Sequence, residues 1–181
     1  MGFLSDSRNN MRLTKSDYKN YLICPEELWL SKHKPELMPP FDENRTFSVE
    51  QGNLVDKFVE ELFADADFQK QFKLKGKEVR FQQKMTALPS ASQDTEGGYF
   101  LCISDVTVFD PIENCYDIYE VKASKEVKSE YIDDLAFQRM VFELAGHRVR
   151  KTYLVHISPS YVFQDKIDPK AFFRLPNVSD K

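Results

Sequence analysis

The sequence has no excess of positive charge. Its 25 lysines and arginines are outnumbered by 29 aspartates and glutamates, which gives a formal net charge of -4. A nucleic acid or another polyanion would have to be held by a local basic patch or through metal ions, because the protein as a whole does not attract it.

Cysteine is scarce and long apolar runs are absent. The three cysteines, Cys24, Cys102 and Cys115, are an odd number and lack the spacing of a metal site. No signal-peptide pattern and no apolar run of membrane-spanning length occurs in the sequence. We therefore expect a reducing, cytoplasmic location and no membrane partner.

The apolar content is sufficient for one hydrophobic core. The chain has 181 residues, of which 41% are hydrophobic and 13% aromatic, so one domain over residues 1–181 is expected. Within it we predict a helical N-terminal part over about 12–71, a sheet and helix over about 78–158, and a peripheral C-terminal tail.

Helical periodicity marks three regions. Thr14 to Asp17 form a helix N-cap cluster, and Pro25 suits the first turn of a second short helix. Apolar residues at helical spacing predict a long helix from about Thr46 to Phe63. A further helix is predicted from Ser129 to Ala145, where Gly146 is placed to end it.

Strand patterns fill the middle of the chain. The runs "EVRFQQKMTAL", "GGYFLCISDVTVFD" and "CYDIYEVKAS" are rich in β-branched and aromatic residues, and "DPIEN" between the last two predicts a hairpin turn. "KTYLVHI" predicts a further buried strand. The order of elements predicts an α/β fold with a central β-sheet flanked by helices.

Charged residues interrupt two of these strands. Glu120 and Lys122 share one face of their strand, and Asp105 interrupts the apolar row of Leu101 and Ile103 on the preceding strand. A buried charge without a partner costs several kcal/mol. We therefore expect the two carboxylates and the lysine to face one another across the sheet.

Such a group suits phosphodiester hydrolysis. Two carboxylates on adjacent strands form an oxygen-rich site for Mg²⁺ or Mn²⁺, which lowers the pKa of a bound water and neutralises charge on a phosphoryl oxygen. A neighbouring lysine can orient or deprotonate that water, because the pKa of a desolvated ammonium near a cation falls readily.

The spacing of Asp105, Glu120 and Lys122 resembles the D-x(n)-E-x-K signature of the PD-(D/E)XK nuclease superfamily. "QGNLVDKFVEELF" looks like the first helix motif of its RecB-like branch, with Gly52 matching the glycine. "QRMVF" resembles the Q-x-x-x-Y motif of that branch, with Gln138 matching. "LTKSDYKNYLICPEELWLSKHKPEL" is similar to the N-terminal segment of CRISPR-associated RecB-like nucleases and of an uncharacterised bacterial RecB-like family.

This resemblance implies a restriction-endonuclease-like core and a metal-dependent deoxyribonuclease that hydrolyses DNA phosphodiester bonds. A RecB-like exonuclease would act on duplex ends or single strands in repair, recombination or defence, with DNA and other subunits or domains of such a complex as partners. The implied catalytic residues are Asp105, Glu120, Lys122 and Gln138. The implied metal ligands for Mg²⁺ or Mn²⁺ are Asp56, Asp105, Glu120 and Val121.

The chain departs from the family pattern in three places, one of which is Phe142, where the Q-x-x-x-Y motif has a tyrosine. Asp56 stands where the first helix motif has a histidine, and it is either a working ligand or surface charge. Cys24 matches the first cysteine of the iron-sulfur members, but no cysteine follows Cys115, so no iron-sulfur cluster is expected.

Other interpretations stay open at this stage. Glu120 and Lys122 could be a solvated ion pair on an edge strand, and Gln138 could be an exposed helix residue. The alternative function is a catalytically weak or inactive nuclease-fold module for nucleic-acid binding or assembly. A local phosphate-binding rim is predicted from seven basic residues: Lys122, Lys125, Lys128, Arg139, Arg148, Arg150 and Lys151.

Overall fold

The computed structural model describes residues 11–39, 44–89 and 98–181, apart from the side chains of residues 44–51 and 53. The elements in chain order are β1 (Arg12–Thr14), α1 (Lys15–Ile23), α2 (Pro25–His33), a 3₁₀ turn (Pro35–Leu37), α3 (Asn44–Ala64), α4 (Ala66–Gln71), β2 (Glu78–Ala87), β3 (Tyr99–Asp110), β4 (Cys115–Lys122), α5 (Ser129–Leu144), β5 (Arg148–Ile157), α6 (Pro169–Phe172) and β6 (Phe173–Arg174).

Six strands form one mixed sheet in the order β1-β3-β4-β5-β6, and β2 pairs with β3. The β2–β3 and β3–β4 pairs are antiparallel, β1–β3 and β4–β5 are parallel, and β6 closes the far edge against β5. The prediction of an α/β fold with a central sheet flanked by helices is confirmed, and this topology is consistent with a restriction-endonuclease-like core.

The predicted helix boundaries are confirmed by local interactions. Thr14 caps α1 through a capping box, in which its hydroxyl accepts from the backbone N–H of Asp17 and the Asp17 carboxylate accepts from the backbone N–H of Thr14. Pro25 is the first residue of α2. After α5, Gly146 adopts a φ of +85°, which ends the helix in the left-handed region.

Two apolar cores lie on opposite faces of the sheet. One contains α3 residues such as Val59 and Leu62 and packs against Tyr119 of β4. The other contains α5 residues such as Val141 and packs against Ile118 of β4. Neighbouring residues of one strand therefore enter different cores, as the alternation of side chains along a strand requires.

The prediction of a peripheral C-terminal tail is wrong. Strand β6 pairs with β5 next to His156 and Ile157, and Phe173 is buried in the core on the α3 side. Val178, close to the C-terminus, is buried in the core on the α5 side. The tail lacks strong periodicity because its strand is two residues long, so the sequence pattern does not reveal it.

Within the described part of the chain, no helix combines the length and the apolar character that crossing a bilayer requires.

Replacement of Phe173 by alanine tests the structural role of the C-terminal segment. Phe173 is 2% exposed, so Phe173→Ala is expected to lower the free energy of unfolding by about 3 to 5 kcal/mol through lost burial and a cavity. Phe163→Ala is the matched control, because Phe163 is 61% exposed and its loss should change stability by no more than about 0.5 kcal/mol. Equal urea midpoints for the two variants would contradict this assignment.

Candidate functional site

The candidate site lies at a fork in the sheet. The β3–β4 ladder runs from Asp110 and Cys115 to Val106 and Tyr119 and ends there. Strand β2 pairs along one edge of β3, so β1, which pairs with β3 at residues 99–101, lies on the same edge as β4. Residues 102–105 of β3 thus face a gap between β1 and β4.

The fork coincides with a change in the face that the strands present. In β3, Cys102 belongs to the core on the α5 side whereas Val106 belongs to the core on the α3 side, although they are four positions apart. Regular alternation would place both side chains on one face. The alternation of side chains in β3 therefore shifts by one residue between Cys102 and Val106, and Asp105 lies in this interval.

Strand β2 shows the same change opposite Asp105. Phe81 packs edge-to-face against Phe63 of α3, whereas Met85 packs against the core on the α5 side. Gln82, between them, has a φ of +48°, in the left-handed region that non-glycine residues seldom adopt. Both strands are therefore irregular at Gln82 and Asp105, where the regular β2–β3 pleat is interrupted.

Asp105 lines a cavity of about 230 Å³ on the α3 side, together with Asp56, Glu60 and Val121. Its Oδ2 accepts a hydrogen bond from the backbone N–H of Val121 at 2.7 Å. Burial, and next the negative charge of Glu120, raise the pKa of Asp105 to about 7. Asp105 therefore points to the α3 side of the sheet, and Glu120 lies close enough for its charge to act on Asp105.

Glu120 is held on the α5 side of the sheet and is 1% exposed. Its Oε1 accepts from the ammonium groups of Lys15 at 2.6 Å and of Lys122 at 2.7 Å. Its Oε2 accepts from the Gln138 side-chain amide. Burial acts to raise the pKa of Glu120, but the two ammonium groups outweigh burial and hold that pKa below its usual value.

Lys122 bridges two buried carboxylates. Its Nζ lies 2.6 Å from Asp134 Oδ2 as well as 2.7 Å from Glu120 Oε1, and it lies 5.1 Å from the centre of the Tyr131 ring. Burial would lower the pKa of Lys122, but these carboxylates raise it above its ordinary value. Lys122 is therefore a protonated group, which favours orientation of a water or phosphate over its deprotonation by the lysine.

Two of the alternative interpretations are excluded by burial and position. Beyond Tyr119 strand β4 pairs with β5 alone, but Glu120 is 1% exposed, so Glu120 and Lys122 are not a solvated ion pair. Gln138 is fully buried in α5 and is bonded to Glu120, so it is not an exposed helix residue.

Asp56 faces the candidate site from α3. It is half-buried in the cavity that Asp105 lines. Burial, and then the negative charges of Glu60 and Glu120, raise the pKa of Asp56 above its ordinary value. Of the two interpretations of this residue, the geometry favours a site residue over surface charge.

Sequence reasoning missed three members of this cluster: Lys15, Glu60 and Asp134. Asp134 and Gln138 are four residues apart on one helix face, so the assignment of Gln138 to the site could have identified Asp134. Glu60 follows Asp56 by the same interval. For Lys15, 105 residues before its partner Glu120, no local pattern gives a signal.

The chemistry of these side chains fits a hard divalent cation. Asp56 and Asp105 line one cavity, and Glu120 lies within electrostatic range of both. Mg²⁺ typically binds one or two protein carboxylates and retains several waters. Among the described residues, however, no three side chains of the metal-binding types are close enough to form a ready-made cluster. A cation would have to draw the carboxylates together.

Most of the predicted basic rim lies elsewhere or is already paired. Arg150 binds Asp117 at 2.6 Å and contacts Asp110 and Glu113, and Arg148 contacts Glu113, near the β3–β4 turn. Arg139 pairs with Glu143 on α5 at 2.8 Å. Close acidic partners thus contact all three arginines of the predicted rim. Lys125 and Lys128 are exposed in the segment between β4 and α5.

Comparison with known proteins identifies no family. No family model and no curated protein sequence matches the chain. Seven chains of solved structures match it. One, described as "Crystal structure of SSO0001", is 12% identical with a TM-score of 0.48, and the match covers 97% of this chain and 70% of that one. A similarity at this level carries no argument about function.

The ion-pair cluster predicts a large stability effect at Lys122. Lys122→Ala is expected to lower the free energy of unfolding by about 3 kcal/mol or more, because the buried Asp134 keeps only Lys19 at 3.7 Å and Glu120 loses one of its two ammonium partners. Lys125→Ala, three residues along on the exposed loop, should change stability by no more than about 0.5 kcal/mol. Chemical denaturation of both variants measures the difference, and a fully stable Lys122→Ala variant would refute the buried cluster.

Proposed function

We propose that this protein is a metal-dependent nuclease that hydrolyses DNA phosphodiester bonds. The observation that carries this proposal is the fork itself, where Asp105 and the buried Glu120 lie on adjacent strands and Lys122 Nζ contacts Glu120 at 2.7 Å. Carboxylates can bind a metal cation, and an ammonium group can bind a phosphoryl oxygen.

Packing alone gives a poor account of the cluster. Glu120 and Asp134 are each 1% exposed, and burying such charges costs more than their mutual attraction usually returns. Asp105, with a pKa raised to about 7, is held in an environment that disfavours its ionised form. Perturbed carboxylates that line a cavity are typical of functional sites.

The resemblance to RecB-like PD-(D/E)XK nucleases supports the same proposal. The residues that match the D-x(n)-E-x-K signature lie on the adjacent strands β3 and β4, and Gln138 of the second motif bonds to Glu120. The helix that contains the first motif, α3, contributes Asp56 to the cavity beside Asp105. Motifs distant in the sequence thus contribute to one region of the molecule.

Each residue has a distinct role in the proposed mechanism. Asp105, Glu120 and Asp56 would hold Mg²⁺ or Mn²⁺, which supplies charge neutralisation at the phosphoryl oxygen and a lowered pKa for an attacking water. Gln138 fixes Glu120 by donating to Oε2. The Val121 N–H orients Asp105 by donating to Oδ2, and its assignment as a metal ligand remains a prediction.

Lys122 would act as a hydrogen-bond donor. Its ammonium is anchored by Glu120 and Asp134, so it is positioned to donate to a phosphate oxygen or an attacking water without giving up its own proton. As substrates we propose duplex ends or single strands, in repair, recombination or defence. The exposed Lys125 and Lys128 offer contacts to the phosphate backbone beyond the reacting group.

A second candidate function is a nuclease-fold module that binds nucleic acid, or joins an assembly, without turnover. Two observations favour it: the Lys15 ammonium already contacts Glu120, and the described residues form no ready-made metal cluster. A protein of this kind would bind DNA with an affinity that is indifferent to divalent cations.

Asp105→Asn tests the enzyme proposal. The variant keeps the shape of the side chain but removes its charge, so cleavage is expected to fall by roughly 100-fold or more as charge stabilisation at the reacting phosphate is lost. Cleavage of labelled linear, circular and single-stranded DNA is measured with Mg²⁺, with Mn²⁺ and with EDTA.

Glu113→Gln is the control for this experiment, because Glu113 is an exposed carboxylate at the β3–β4 turn, away from the fork. It should cut at the wild-type rate. A wild-type protein that cuts none of these substrates with either cation would refute the enzyme proposal and favour the binding module.

Asp56 distinguishes a complete site from a degraded one. Asp56→Asn is expected to weaken both Mn²⁺ affinity and cleavage if the carboxylate is a ligand, and Asp56→His should retain both, because imidazole is also a metal ligand. Glu61→Gln, an exposed neighbour on α3, serves as the control. If Asp56→Asn matches the wild type in calorimetry and in cleavage, Asp56 is not part of the working site.

A further inference from the structure

We propose that Lys15 is a built-in competitor of the divalent cation: its ammonium occupies the Glu120 side of the fork and must leave when the cation binds. This inference rests on the proposed function, because it concerns the cation that Asp105 and Glu120 would hold. It assigns a role to a residue of the N-terminal segment, 105 residues before Glu120 in the sequence.

Strand pairing and a helix cap hold Lys15 next to the fork. Strand β1 pairs with β3 through Thr14 and Leu101, and α1 begins at the next residue, Lys15. The capping box between Thr14 and Asp17 fixes this first turn. The backbone of Lys15 is thus held at the open side of β3, and its side chain extends to Glu120 Oε1 at 2.6 Å.

Lys15 and Lys122 bind the same oxygen, but they are anchored differently. Lys122 also pairs with Asp134 at 2.6 Å and lies over the Tyr131 ring, and these contacts hold its ammonium in position. Among the described residues, Lys15 pairs with Glu120 alone, and its side chain is 25% exposed. Of the two ammonium groups, that of Lys15 can therefore move into solvent at the lower cost in free energy.

Electrostatics makes the two occupants exclusive. The Lys15 ammonium already binds Glu120 Oε1 at 2.6 Å, and a divalent cation bound to the same carboxylate would repel it, because like charges this close repel even in a partly screened medium. The Lys15 ammonium thus opposes metal binding at Glu120.

The test measures Mn²⁺ affinity by calorimetry on the full-length chain for the wild type, Lys15→Met, Lys15→Arg and Lys19→Met. Lys15→Met keeps an unbranched side chain without charge and is expected to bind Mn²⁺ about tenfold or more tightly than the wild type. Lys15→Arg keeps the charge and should bind no more tightly than the wild type.

Lys19→Met is the matched control, because it removes the same charge one turn further along α1. The Lys19 ammonium lies 3.7 Å from Asp134 and outside the Glu120 pair, so its loss should change Mn²⁺ affinity by less than about threefold.

Thermal unfolding gives a second readout that does not depend on activity. In EDTA, Lys15→Met should melt below the wild type because buried Glu120 loses one partner, and Mn²⁺ should raise its melting temperature more than that of the wild type. DNA cleavage by the wild type is measured in parallel.

Mn²⁺ affinity in Lys15→Met equal to or weaker than in the wild type overturns the competitor role. If the wild type cuts DNA in that case, the proposed function stands without it. If none of the four proteins binds Mn²⁺ and the wild type cuts no DNA, both proposals fail together. A wild type that binds no Mn²⁺ while Lys15→Met does would support the competitor role and show how strongly Lys15 blocks the site.

Discussion

The structure depends on one buried charge, the carboxylate of Glu120 in the central strand β4. Its burial is tolerable because Lys15, Lys122 and Gln138 saturate its two oxygens. These partners come from α1, β4 and α5, so satisfying one carboxylate fixes the positions of three elements around the fork. At the fork, β3 and β4 are not paired, and Asp105 lies in this unpaired stretch of β3.

Two opposed tendencies meet at this fork. Apolar side chains alternate along β2, β3 and β4 and pack into the cores on both faces of the sheet, which favours uninterrupted pairing of these strands. The irregularities at Gln82 and Asp105 break this alternation and place the Asp105 carboxylate in a cavity with Asp56. Local strain and buried charge are retained beside each other, which is the usual signature of a site maintained for function at a cost in stability.

Sequence reasoning reached the fold through strong periodicity and reached part of the site through strand alternation. It placed α3, α5 and the antiparallel strands correctly, and it placed Glu120 and Lys122 on the face of Ile118. It did not predict the irregularity at Gln82 and Asp105, because a one-residue shift in strand alternation leaves no mark on composition. It also missed short elements such as β1 and β6, which are defined by pairing partners rather than by their own residues.

The most direct test is a crystal structure of the protein grown with Mn²⁺, with diffraction measured for anomalous scattering at the manganese edge. The account predicts an anomalous peak at the fork, bound by oxygens of Asp105 and Glu120, with the Lys15 ammonium displaced from Glu120 and Lys122 still paired with Asp134. Crystals without a peak at the fork, in which Lys15 still contacts Glu120 at saturating Mn²⁺, would contradict the metal site and the nuclease function proposed from it.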